Sequence, residues 1–176
     1  MKQLTLVIWL FPVVFMIHDF EEIIFMRPWF KKRKDELQKR FPRFAKKIAQ
    51  SAERSTAAFA VGVLEIFILL AVFNVLAYCF DWYWLWYMQF AAFALHLLFH
   101  LVQSIAMRSY VPATVTSILA LPYCVWAFMV LAQLNMFTVL QSVLLTVAGL
   151  VVISVNMIAA FKLMSCFDKY FNNLGD

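Results

Sequence analysis

Charge is scarce in this sequence and glycine is scarcer. Only 14% of the 176 residues are Asp, Glu, Lys or Arg, and glycine occurs three times. Ordinary globular domains carry ~25% charged residues. A soluble chain this poor in charge and 65% apolar would have no place for its excess apolar surface. The same composition excludes a disordered chain and a collagen-like one. Cysteine is too rare for a disulfide scaffold. Cys79, Cys124 and Cys166 form no CxxC and lie in or beside apolar runs, so we expect buried free thiols. With a mean hydropathy of +0.81, the remaining class is a multi-span helical membrane protein.

Five apolar runs are present, at 4–26, 56–80, 82–107, 112–134 and 137–161. Each is long enough to cross ~30 Å of hydrocarbon as a helix. Helices are required because an open strand edge in lipid leaves backbone groups unpaired. The first run is too long for a signal peptide and is followed by no small-residue cleavage site, so we expect a retained helix. The expected fold is all-α: one membrane domain over 1–176, a transmembrane bundle of five helices plus a basic amphipathic interfacial helix.

That interfacial helix is expected over 28–54. Eleven of the 15 Lys and Arg residues lie between Arg27 and Arg54; the others are Lys2, Arg108, Lys162 and Lys169. Phe30, Leu37, Phe41, Phe44 and Ile48 make one apolar stripe opposite the basic residues, with Pro42 kinking or dividing the helix. Membrane lipids with anionic head groups are the expected partners at 27–54, and nucleic acid is not. Placing this segment in the cytoplasm puts 14 of 15 positive residues inside, with the amino terminus outside and the carboxyl terminus cytoplasmic. Tyr78, Trp82, Tyr83, Trp84, Trp86 and Tyr87 then form an outer aromatic belt.

The informative residues are polar ones inside the runs. They are His18, Asp19, Glu21 and Glu22 in the first, Glu65 in the second, His96, His100 and Gln103 in the third, and Asn156 in the fifth. A charge at the bilayer centre costs ~2.5–3.5 kcal/mol on insertion scales, so these groups must be protonated, paired or bound to a cation. Counted from the basic end of each run, they fall in one layer about 8–18 Å deep. Around the first helix, Glu21 and Glu22 flank His18 at roughly −60° and +40°, and Asp19 lies farther round. His96, His100 and Gln103 share one stripe. Gly62, one turn before Glu65, allows close helix approach. We therefore expect runs one, two, three and five to converge on a shared site, with run four peripheral.

His and Glu at i, i+3 or i, i+4 on facing helices bind Zn, or paired Fe or Mn, in helical bundles. The expected metal ligands are His18, Glu21, Glu22, Glu65, His96 and His100, with Glu22 or Glu21 free to act as general base. Arg108, Tyr110, Gln103 and Asn156 are the expected substrate contacts.

His18-Asp19-Phe20-Glu21-Glu22 resembles the motif that names the HXXEE family of bacterial integral membrane proteins. That family is also described by a later histidine, which His96 or His100 would supply, and by a YXPG motif. Tyr110-Val111-Pro112-Ala113 resembles YXPG, with alanine in the glycine place. The resemblance implies a shared fold and site in a bacterial inner membrane, and no substrate. The order Glu21-Glu22, Arg27, His96, His100 is an analogy to CPBP-type intramembrane proteases, with the arginine one residue farther on and both histidines on one helix. The functional expectation is a metal-dependent membrane hydrolase acting on a lipid or peptide. The alternatives are a cation or proton transporter and a non-catalytic membrane subunit.

Overall fold

In the computed structural model, which describes residues 2–173, every regular element is helical. They are α1 (Lys2–Arg40), a short 3-10 turn (Pro42–Phe44), α2 (Ala45–Glu53), α3 (Thr56–Phe80), α4 (Tyr83–Met107), α5 (Thr114–Gln133) and α6 (Val139–Asn173). Five of them are long and apolar enough to cross a bilayer, which makes the chain a multi-pass membrane protein. Tight turns separate the spans. Asp81 and Asn135 take left-handed backbone (φ 57° and 48°) between α3 and α4 and after α5.

The basic segment differs from the expected single helix over 28–54. α1 runs unbroken through Pro28 to Arg40, so its 39 residues reach about 58 Å, well beyond one bilayer crossing. The chain then reverses at Phe41–Phe44, and α2 returns beside α1. Gln38 Nε2 donates to the Ala45 carbonyl (3.0 Å), and Lys34 pairs with Glu53 (3.1 Å), so the two helices run antiparallel. Leu37, Ile48 and Ala52 are buried between them, whereas Phe41 and Phe44 stay exposed at the turn. Packing of α2 on the extension compensates for the single backbone bond that Pro28 removes. Trp29 Nε1 donates to the Tyr110 carbonyl, Arg33 to Ser109 Oγ and Arg40 to the Ala106 carbonyl, which ties the extension to the end of α4.

The spans form a closed ring in the order α5, α1, α3, α6, α4, with α4 also packed inward on α3. Two backbone features set the spacing. Pro12 frees the carbonyl of Ile8, and Asn74 Nδ2 of α3 donates to it at 2.7 Å, so the proline leaves no unpaired acceptor in the membrane. At Gly149 of α6, a Cβ would stand 2.1 Å from the Met88 carbonyl oxygen of α4, so this crossing admits only glycine. Gly62 also marks a close approach, as expected: its Cβ would meet the Met164 side chain at 1.9 Å. Phe11, Trp86, Phe90, Phe93 and Leu97 fill the interior.

Three expectations are corrected at this level. Run four (α5) is not peripheral. It packs on both α1 and α4, and a third of its apolar window is buried against 11% for α6. A wheel of one helix cannot show this, because α5 is engaged through short hydroxyl and backbone groups rather than ionisable ones. The aromatic belt is smaller than expected: Tyr78, Trp82 and Trp84 are exposed, but Trp86 and Tyr87 are buried in the core. Of the three free cysteines, only Cys124 is buried.

Candidate metal centre

α1 and α4 meet narrowly, and each brings a pair of side chains one turn apart to the crossing. His18 and Glu22 are i, i+4 on α1, and His96 and His100 are i, i+4 on α4, which stacks each pair on one face. One donor atom from each of the four lies within 4.8 Å of all the others. Glu22 Oε1 is 2.9 Å from His100 Nε2 and 3.9 Å from His96 Nε2, and the two Nε2 atoms are 3.0 Å apart. Ligands of a tetrahedral ion at ~2.0–2.1 Å stand roughly 3.3 Å apart, so this spacing suits one small divalent ion. The His18 ring stands edge-on to both other imidazoles, with centroids 5.3 Å away.

His18 is oriented from behind. Its Nδ1 is 3.2 Å from Thr116 Oγ1, and that hydroxyl is 2.6 Å from Glu21 Oε2. The Thr116 proton goes to the carboxylate, its closest acceptor, so the hydroxyl accepts from Nδ1–H. The lone pair of His18 then resides on Nε2, which is buried and has no hydrogen-bond partner among the described residues. An imidazole whose far nitrogen is fixed by a hydroxyl–carboxylate chain, with its near nitrogen bare among three other donors, is the usual environment of a metal-bound histidine.

Glu21 therefore occupies a different setting from its neighbour. It accepts from Thr116 N (2.7 Å), Thr116 Oγ1 and Tyr110 Oη (2.6 Å). The Thr116 amide belongs to the first turn of α5, whose donors have no intrahelical acceptor, and Glu21 closes that end while its charge complements the helix dipole. Burial and the Glu21 carboxylate raise the Tyr110 phenol above its ordinary value, so it remains a donor.

Residues 9–127 match the family described as "Protein of unknown function with HXXEE motif". The chain belongs to the HXXEE family. No curated protein and no solved structure matches it. The letters of the HXXEE motif thus take three positions in space: His18 and Glu22 in the quartet, and Glu21 on the α5 terminus. Both later histidines join the quartet. The YXPG-like segment supplies Tyr110 and the turn into α5, and Ala113 there has φ 73°, the left-handed backbone that glycine accepts without strain.

The remaining site expectations fall elsewhere. Glu65 and Asn156 pair with each other (3.0 Å) between α3 and α6 and are not members of the quartet. Arg108 is exposed at the end of α4 in left-handed backbone (φ 49°), and Gln103 is half-buried. None of Arg108, Tyr110, Gln103 and Asn156 lines the cavity that opens beside the quartet. That cavity, about 700 Å³, occupies the gap that α1 and α6 leave by not packing together, and it is walled by α1, α3, α4 and α6. Asp19, Glu22 and His96 face it. His96 is 43% exposed at its side chain, and the surface it shows belongs to the cavity wall. Asp19 has no hydrogen bond among the described residues. Its angle on the helical wheel separates it from His18 and turns it toward the cavity. Thr116 had no signal beyond its place in the first turn of a helix.

Proposed function

We propose that this protein is a metal-dependent hydrolase of the bacterial inner membrane, acting on a lipid or peptide within the bilayer. His18, Glu22, His96 and His100 would hold one divalent ion, zinc or else iron or manganese. The observation that carries this reading is the quartet itself: four convergent donors with a bare, buried His18 Nε2, bordering an apolar cavity. The ion's contribution when bound is to polarise the scissile carbonyl or phosphoryl group and the attacking water. Asp19, facing the same cavity three residues before Glu22, takes the proton from that water and returns it to the leaving oxygen or nitrogen as the bond breaks. Glu21, through Thr116, holds His18 in the required tautomer.

A proton or cation carrier would use the same carboxylates but needs a polar route on both sides of them. Toward the amino-terminal end of α1 the quartet is covered by Phe11, Phe15, Phe90 and Phe93, with Phe93 in edge contact with His18 at 5.5 Å. That apolar seal favours a reaction chamber open on one side. The charge distribution supports an outside amino terminus and a cytoplasmic carboxyl terminus, with the α1 extension and α2 drawn to anionic head groups.

The test is elemental analysis of protein purified without chelator or added metal, with His18→Ala and His96→Ala. The expected result is one ion per chain, lost in both variants while the helices still insert. In a turnover assay, Asp19→Asn keeps the ion and lowers the rate by ~10²–10⁴. A wild-type chain without metal would overturn the reading.

A further inference from the structure

The cavity is not uniformly apolar. Most of its wall is formed by residues such as Phe59, Ile66, Phe73, Leu150 and Ile153, but one end carries Arg27 and Arg54 with Ser51, Ser55 and Thr56. Neither arginine makes an ion pair among the described residues. Arg27 Nε is buried with no hydrogen-bond partner. Arg54 reaches only the thioether of Met164 (3.4 Å), a weak acceptor, and lies over the Phe161 ring at 5.3 Å. Asp168, the carboxylate that acts on Arg54, is engaged by Ser55 Oγ and the Ser55 amide, and Glu53, which acts on Arg27, is paired with Lys34. Two guanidinium groups thus border a greasy chamber with no carboxylate in direct contact, an arrangement that an anion would stabilise.

We infer that the cavity binds an anionic phospholipid, its phosphate between Arg27 and Arg54 and its acyl chains along the apolar wall. Guanidinium groups take phosphate oxygens in paired hydrogen bonds, and the volume lies within the ~300–1,000 Å³ of small-molecule sites. The register adds a further point, which rests on the hydrolase reading. Arg27 follows Glu22 by five residues, about 7.5 Å along the helix axis. A phosphate held at Arg27 brings the first ester bonds of the lipid to the level of Glu22 and His96, with Asp19 about 4.5 Å farther along the axis. The substrate class is therefore an acyl ester of an anionic glycerophospholipid. Its hydrolysis would join the oxygen of water to the acyl carbon, break the acyl C–O bond and pass a proton to the released alcohol.

Native mass spectrometry of the full chain in neutral detergent tests this, with phosphatidylglycerol, the diacylglycerol bearing the same acyl chains, and inorganic phosphate as probes. One phosphatidylglycerol should bind at least about tenfold more tightly than diacylglycerol, and inorganic phosphate should not be retained. Arg27→Gln and Arg54→Gln should each weaken binding by about tenfold. Ile153→Trp, which fills the cavity without touching charge, should abolish it. Lys46→Gln with Lys47→Gln, on the outer basic surface, should leave it unchanged. Equal retention of diacylglycerol, retention in Ile153→Trp, or loss on removing Lys46 and Lys47 would each overturn the assignment. Running every arm with and without chelator separates the two readings. Phospholipid binding in a chain that holds no metal keeps the cavity assignment and removes the hydrolase. A metal-loaded chain indifferent to the head group does the reverse.

Discussion

Glu21 and Glu22 are adjacent in sequence but, about 100° apart around α1, meet different neighbours. The Glu21 side is closed. α5 packs there with the turn that precedes it, and an amide, a threonine hydroxyl and a tyrosine hydroxyl from these segments all donate to one carboxylate. The Glu22 side is open. α6 does not reach α1, and Glu22 shares the resulting cavity with Asp19 and His96. A saturated carboxylate has no capacity left for a ligand or a proton from substrate, whereas Glu22, engaged by His100 alone at hydrogen-bond distance and facing a cavity, has both. The two glutamates of the motif thus divide the work, one assembling the bundle and the other bordering the chemistry.

The largest expected effect comes from exchanging the two. Glu22→Gln removes one of four donors and should reduce metal content at least about tenfold in a metal-buffered titration, with little change in unfolding. Glu21→Gln should do the opposite. It loses charge-assisted hydrogen bonds worth ~1.5–3 kcal/mol each before relaxation, which lowers the unfolding midpoint, while the quartet keeps its ion. If Glu21→Gln strips the metal and Glu22→Gln does not, the division is wrong.

This division also marks how much of the site the sequence reveals. Hydropathy places all five spans because lipid selects long apolar helices, and the quartet follows from two i, i+4 pairs at matching depth. The wheel of α1 sets Glu21 and Glu22 almost symmetrically about His18, so it gives them equal claims. Only the neighbour on each side separates them, and neighbour choice is tertiary. Glu65 and Asn156 share the depth of the quartet for a different reason: they satisfy each other across α3 and α6. Equal depth is necessary for a shared site but does not imply one. Likewise, the extension of α1 past Pro28 depends on α2 folding back on Leu37, which no local pattern contains.

The next prediction tests the open side through its wall. Gly149 faces the backbone of Met88, whereas Gly62 faces only the flexible side chain of Met164. Gly149→Ala should cost ~1–3 kcal/mol, because α6 must move off α4, whereas Met164 can swing away in Gly62→Ala at less than ~1 kcal/mol. Stability in mixed micelles, read by reversible unfolding, measures both. Equal costs would mean that α6 is not seated on α4 at that crossing.

The closed side is tested by pH. The Tyr110 phenol is raised by burial and by Glu21, so its contribution is complete below the unfolded value near 10 and is lost as pH rises through the higher folded value. Tyr110→Phe should cost about 1 kcal/mol at neutral pH and flatten the alkaline part of the stability profile. An unchanged alkaline limb would show that the phenol contributes nothing to the α5 clasp.

The smallest effect is a gain. Ala113 is fully buried at the amino-terminal cap of α5 with φ 73°, and its carbonyl accepts from Ser117 N at 2.9 Å. An L-residue in this conformation is strained by ~1–2 kcal/mol, which glycine avoids. Glycine also gives the unfolded chain more freedom, which takes back ~0.5–1 kcal/mol. The net expectation for Ala113→Gly is a stabilisation of about 0.5–1 kcal/mol, with metal content unchanged. The turn exists to aim the Thr116 amide and hydroxyl at Glu21, so relaxing it should strengthen the closed side and leave the cavity alone. A destabilised Ala113→Gly would mean that the alanine methyl, packed at zero exposure, contributes more than the strain it causes.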